Sequence, residues 1–165
     1  MKILVFSDIH GNTIRMTDAI RTHRLHGGVD RVFFLGDGLD DANAVMKKFP
    51  DIPYDAVSGN CDEFYLSYSQ REFLVTEQLV TAGGIRFLLA HGHKLFVKSQ
   101  YQFAANYAIQ KKADVLLFGH THQALCDYED GLHIMNPGSA SHYLPSCGII
   151  DILPSGILTN IVYRK

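Results

Sequence analysis

Short apolar runs alternate with helix-period segments through the first half of the chain. Ile3 to Ser7 and Arg31 to Leu35 read as buried strands, and between them Met16, Ala19, Ile20 and His23 share one helical face. That is a βαβ unit. Gly27-Gly28 stops the first helix, a second covers about Asp40 to Lys48 ahead of Pro50, and Tyr54 to Val57 supplies a third strand. A parallel sheet with right-handed crossovers is predicted here.

The pattern changes from Phe73. Gly83-Gly84 separates Phe73 to Thr81 from Ile85 to Ala90 as a tight hairpin would. Ser99 is placed to cap a helix with Tyr101, Ala104, Ala105 and Ala108 on one face, followed by a strand at Val115 to Phe118. Strands are then predicted at Ala124 to Tyr128, His133 to Met135, Ile149 to Leu153 and Ile157 to Tyr163, with turns at Glu129-Asp130-Gly131 and Pro154-Ser155-Gly156. Two mixed sheets packed face to face, flanked by helices, would bury all these runs. The fold class predicted is therefore an α/β β-sandwich.

Composition narrows this further. The 165 residues are 47% hydrophobic and carry 15 basic against 17 acidic side chains, a net charge of −2. Such a balance excludes a disordered chain and does not suggest a protein that coats polyanions. The length fits a single domain over residues 1–165, burying about 70% of the unfolded chain's surface. Apolar runs fall short of the roughly 20 residues of a membrane helix. Acidic Asp8 follows too few apolar residues for a signal-peptide core, so a cytoplasmic location is expected. Cys61, Cys126 and Cys147 are widely spaced and odd in number, which argues against a disulfide framework. Cys126 and Cys147 are expected to be buried.

Nine histidines are a heavy load for this length. Several follow apolar runs, as do other residues of metal-binding type. Asp8 and His10 follow the first strand, Asp37 the second and Asn60 the third; His91 and His93 follow the Ile85 run, and His120 and His122 the Val115 run. Residues just beyond strand carboxyl ends converge on one crevice in an open α/β sheet. Carboxylates, an amide oxygen and imidazoles without thiolate suit Mn²⁺, Fe or Zn²⁺. Six or seven ligands exceed one tetrahedral ion, so two ions with a bridging carboxylate are expected. Singly, each of these residues is an ordinary turn or surface residue; their ordered recurrence after strands carries the inference. Neither a P-loop nor a Gly-x-Gly-x-x-Gly motif is present.

Asp-x-His, Gly-Asp, Gly-Asn-x-Asp, His-Gly-His and Gly-His-Thr-His occur in that order. This set resembles the signature of the calcineurin-like metallophosphoesterase superfamily, from Lys2 to about Ser139, and is most similar to the small YfcE-type phosphodiesterases. The resemblance implies a four-layer αββα fold and a phosphodiesterase acting on small phosphodiesters through a hydroxide bridging two divalent ions. It implies Asp8, His10 and His122 at the first metal, Asn60, His91 and His120 at the second, and Asp37 between them. Mn²⁺ is the favoured ion, with Zn²⁺, Fe or Ni²⁺ as alternatives. Asp62 and His93 are second in line, orienting ligands through a ring nitrogen or water.

One position departs from the wider family. Cys61 stands where a histidine often protonates the leaving group, and a thiol of pKa about 8.5 is a weaker donor near neutrality. Activated phosphodiesters should then react best. The resemblance also admits a metal-binding interaction scaffold like the retromer small subunit, and a phosphomonoesterase or nuclease. The absence of a basic patch argues against extended nucleic acid, and a homo-oligomer stays open. His23, His26, His133 and His142 receive no catalytic role; Asn136-Pro137-Gly138-Ser139 reads from its composition as a turn, and it resembles a loop that borders the site in similar proteins.

Overall fold

The structure is a computed structural model that describes residues 1–64, 74–141 and 143–163. Two five-stranded sheets form the centre. The first contains β1 (Lys2–Phe6), β2 (Arg31–Phe34), β3 (Tyr54–Ala56), β9 (Ser146–Leu153) and β10 (Gly156–Tyr163), in the order β10-β9-β1-β2-β3. The second contains β4 (Glu77–Ala82), β5 (Ile85–Ala90), β6 (Val115–Phe118), β7 (Leu125–Glu129) and β8 (Leu132–Asn136), in the order β4-β5-β6-β8-β7. Both are mixed. β1, β2 and β3 run parallel, joined through α1 (Thr13–Leu25) and α2 (Leu39–Met46), while β9 and β10 add antiparallel strands. β5, β6 and β8 are parallel and are edged by antiparallel β4 and β7.

The near-continuous apolar runs are explained by burial on both faces. Alternate residues of a strand point to opposite sides, so Ile3 and Val5 of β1 meet Phe87, Leu89, Val115 and Leu117 between the sheets. Leu4 and Phe6 point the other way, under Met16 and Ile20 of α1 and Ala42 and Val45 of α2. On the far side, Leu116 and Phe118 pack beneath Ala104, Ala105 and Ala108 of α4 (Gln102–Gln110). Helix, sheet, sheet and helix therefore form four layers, as expected. Among the described residues, no helix is long and apolar enough to cross a membrane.

Several local expectations change. The strand predicted from Phe73 begins at Glu77, and Phe73 itself lies outside the described residues. Ser99 does not cap α4: the helix starts three residues later, with Tyr101 in the cap position and no side-chain cap, because the Ser99 N–H turns back to the Phe96 carbonyl at 3.0 Å. A short helix α3 (Asn60–Phe64) and a 3-10 turn (His93–Leu95) were not anticipated. Cys147 is buried, but Cys126 is exposed because it lies on the edge strand β7.

Candidate metal centre

The candidate ligands sit where strands hand over to loops. Asp8 and His10 follow β1, Asp37 follows β2, Asn60 opens α3 after β3, His91 follows β5, and His120 and His122 follow β6. Backbone bonds tie these loops together: the Asp8 N–H donates to Gly36 O at 2.9 Å, Ile9 N–H to Asp37 O at 3.0 Å, and Gly119 N–H to His91 O at 3.0 Å.

Asp8, His10 and His122 offer donor atoms that all lie within 4.8 Å of one another, and so do Asp37, His91 and His120. Within the first group, Asp8 Oδ1 is 3.0 Å from His122 Nε2 and 3.9 Å from His10 Nε2. Asp37 stands between the two groups, since its Oδ2 is 3.4 Å from His91 Nε2 and 4.0 Å from His10 Nε2. Its other oxygen is engaged elsewhere, accepting the Cys61 N–H at 2.8 Å.

Backbone conformation is unusual at these residues. Asp8, His10, Asp37, His120 and His122 all have positive φ, between 39° and 66°, and they are five of the eight such non-glycine residues among those described. That region is sparsely populated for side-chain-bearing residues, and its clustering points to function. Glycines beside the ligands permit close approach. A Cβ on Gly119 would lie 2.9 Å from Asp8 Oδ2, and one on Gly36 would lie 2.7 Å from Gly59 Cα.

Asp62 acts on backbone. Its Oδ2 accepts the N–H groups of Asp37 at 2.9 Å and Gly59 at 2.7 Å, and its Oδ1 accepts those of Gly38 at 2.8 Å and Leu39 at 2.9 Å. One carboxylate thereby fastens the Asp37 loop to the Asn60 turn and caps α2, whose own cap position is Gly38. His93 lies with its ring centroid 5.4 Å from His91 and 6.1 Å from His120, and its Nε2 is 3.4 Å from Glu63 Oε1. Glu63, absent from the sequence-based set, also holds Lys94 Nζ at 3.0 Å.

The electrostatics follow from this crowding. Burial alone would raise the Asp37 carboxyl, but the His91 imidazole and the Cys61 N–H outweigh it and hold it below the usual range. For His91, burial works downward, and Asp37, Asp8 and the Leu35 carbonyl reverse it upward. Burial and the neighbouring His91 push His120 down to about 4. Desolvation and the Asp37, Asp62 and Asp8 carboxylates push the Cys61 thiol up to about 11.

These residues fit a divalent metal. His91 is fully buried, and its Nδ1 lies 2.7 Å from Leu35 O. A carbonyl only accepts, so Nδ1 carries the proton and Nε2 is the nitrogen that could ligate a metal. Of nine side-chain atoms buried without a hydrogen bond among the described residues, Asp8 Oδ1, Asn60 Oδ1 and His91 Nε2 belong to candidate ligands, and Glu63 Oε1 and both His93 ring nitrogens lie beside them. Buried polar atoms are normally paired, and an inward-facing orphan set of oxygen and imidazole donors is what a cation completes.

The calcineurin-like phosphoesterase superfamily domain matches residues 1–152, so the chain belongs to that superfamily, whose members are metal-dependent phosphoesterases. Among its relatives are the probable metallophosphoesterase YsnB of Bacillus subtilis, 31% identical over 84% of this chain and 75% of that one, and phosphodiesterase MJ0936 of Methanocaldococcus jannaschii, 27% identical over 92% and 93%. Phosphodiesterase YfcE of Escherichia coli is 28% identical over 86% of this chain and 80% of its own. Similar solved structures include a conserved protein of Streptococcus pneumoniae (TM-score 0.73, 22% identity, 99% and 97% covered). Another is the zinc complex of Vps29 from Entamoeba histolytica (TM-score 0.71, 20% identity, 99% of each chain covered).

Proposed function

We propose that this protein is a dinuclear metal-dependent phosphodiesterase acting on small phosphodiesters. The observation that carries the reading is Asp37 Oδ2 standing within 4.0 Å of imidazoles from both ligand groups. Asp8, His10 and His122 would hold one ion and Asn60, His91 and His120 the other, with Asp37 shared; Mn²⁺ is favoured, and Zn²⁺, Fe or Ni²⁺ are alternatives. Bound divalent cations supply an acidified water and neutralise charge on phosphoryl oxygens. The chain's own contribution is placement. The Leu35 carbonyl fixes the His91 tautomer, Asp62 fixes the Asp37 loop, and neutral imidazoles with one amide oxygen limit the negative charge facing a phosphate. Cys61, exposed beside Asp37, is a poor proton donor to a leaving alkoxide. Two relatives named as phosphodiesterases support the reaction class.

The Vps29 neighbour favours a second reading, an interaction scaffold of the same fold. That Vps29 was crystallised with zinc, so metal binding alone does not separate the two. Turnover does. The test is to strip the protein with chelator, restore Mn²⁺, Zn²⁺, Mg²⁺ or Ni²⁺, and follow hydrolysis of an aryl phosphodiester beside an aryl phosphomonoester. Metal-dependent diester hydrolysis that disappears in Asp37→Ala and His91→Ala is expected; no metal-dependent turnover would refute the enzyme, and faster monoester hydrolysis would change the substrate class.

A further inference from the structure

We infer that Asn136 is a positioning residue of the metal centre, gripping the Gly119–His120 peptide group so that His120 and Asp8 keep their relative placement. The inference rests on the dinuclear reading above.

Asn136 ends β8 and is 0% exposed. Its Nδ2 donates to Gly119 O at 2.8 Å and to Thr121 Oγ1 at 3.0 Å, and its Oδ1 accepts the Gly138 N–H at 2.9 Å. The orientation of the amide is settled by its partners, because a carbonyl can only accept and a backbone N–H can only donate. Both side-chain N–H groups and the carbonyl are thus used, which makes an otherwise costly buried amide tolerable.

The Gly119 carbonyl and the His120 N–H belong to one planar peptide group. Asn136 holds its oxygen. Its N–H donates to Asp8 Oδ2 at 3.1 Å. The plane is therefore fixed at both ends, by a buried amide on one side and by a candidate ligand on the other, and His120 follows with φ at 66°. The segment that follows Asn136 also holds the other end of the contact. Ser139 Oγ and Ser141 Oγ donate to Asp8 O at 2.9 Å and 3.0 Å, where Asp8 has φ of 54°. Asp8 and His120 belong to different proposed ions, so the Asn136 segment couples the two.

The test uses the full chain as Asn136→Ala and Asn136→Asp. The aspartate retains the acceptor for Gly138 but sets a second oxygen against Gly119 O, so it perturbs that peptide most directly, and alanine serves where the buried carboxylate fails to fold. Chelator-treated protein is titrated with Mn²⁺ by calorimetry, and kcat and KM are measured on an aryl phosphodiester at saturating Mn²⁺. Mn²⁺ affinity is expected to weaken roughly 10–100-fold, with kcat at saturating Mn²⁺ below wild type while KM stays near it. A folded variant with a lowered Tm but wild-type Mn²⁺ affinity and kcat would overturn the inference and leave Asn136 as a purely structural residue. Wild-type protein that takes up no Mn²⁺ would instead remove the metal-centre reading beneath it.

Discussion

Gly59→Ala is the sharpest probe of how the ligand loops are packed. A Cβ at Gly59 points at Asp37: beyond its approach to Oδ1, it would lie 2.6 Å from Asp37 N and 2.8 Å from Asp37 Cγ. Ordinary contact begins near 3.4 Å, so these approaches are 0.8 Å and 0.6 Å too close. Gly59 is not among the positive-φ glycines, so alanine adds a steric conflict without backbone strain. Relief needs a shift of about 1 Å between the Asn60 turn and the Asp37 loop, which are also bound through Asp62 and the Cys61 N–H. Overpacking of this kind costs about 1–3 kcal/mol, or roughly 2–12 °C of Tm at this chain length. Misplacement by about 1 Å can cost about 100-fold in rate. Differential scanning calorimetry and metal-reconstituted kinetics on an aryl phosphodiester measure both effects. Wild-type kcat with an unchanged Tm would refute the packing argument.

Three further outcomes are expected. Asp62→Asn keeps one acceptor oxygen and turns an NH₂ toward two of its four backbone donors, so about 3–6 kcal/mol should be lost in urea unfolding, and a loss below about 1 kcal/mol would contradict the clamp. Cys61→His should raise turnover on diesters with poor leaving groups more than on activated aryl diesters; no difference between the two would show that proton donation does not limit the reaction. The Tyr101 hydroxyl, which donates to Asp127 Oδ2 at 2.7 Å, and the Tyr128 N–H hold the Asp127 carboxyl below its ordinary 3.8. A depressed folded-state value stabilises above the unfolded value and is lost as pH falls through the folded one, so Tyr101→Phe should lower Tm at pH 7 and progressively less below pH 3.8; an equal loss at every pH would sink this account.

The convergence of the candidate ligands was legible because it resides in residue type and order. Asp8, Asp37, Asn60, His91 and His120 each follow an apolar run, and the end of a parallel strand is where an α/β fold gathers ligands. The four layers were legible for a similar reason: runs such as Val115 to Phe118 are apolar at every position, which requires burial on both faces. What the sequence hid is mostly backbone. Asp62 was expected to meet an imidazole or a water, whereas its partners include amides 23 to 25 positions earlier in the chain, which no local pattern marks. Asn136-Pro137-Gly138-Ser139 read as a turn, whereas Asn136 ends β8 and the three residues after it are irregular; Asn136 reaches Gly119 beside it in the same sheet, and Ser139 reaches Asp8 of the other sheet's β1 loop. Ser99 had the chemistry of a cap, yet a 3-10 turn and the left-handed Phe96 set the start of α4 instead.

The left-handed ligands also bear on stability. A non-glycine residue held at positive φ costs roughly 1 kcal/mol or more, so Asp8, His10, Asp37, His120 and His122 together store about 5 kcal/mol, comparable to the net stability of a small domain. The Asp62 and Asn136 hydrogen bonds steady Asp37 and the Gly119–His120 peptide in the free protein, but His91 Nε2, Asn60 Oδ1 and Asp8 Oδ1 stay buried without a hydrogen bond. Metal should relieve that cost. Each site at about 100 times its Kd adds about 2.7 kcal/mol, so two sites should add about 5.4 kcal/mol and roughly 10–20 °C of Tm over chelated protein. Asp37→Ala, lacking the shared oxygen, should lose most of that rise while folding without metal. Scanning calorimetry across a Mn²⁺ titration reads this directly: a Tm that stays constant over the concentrations that activate turnover would refute preferential binding of metal by these residues in the folded chain.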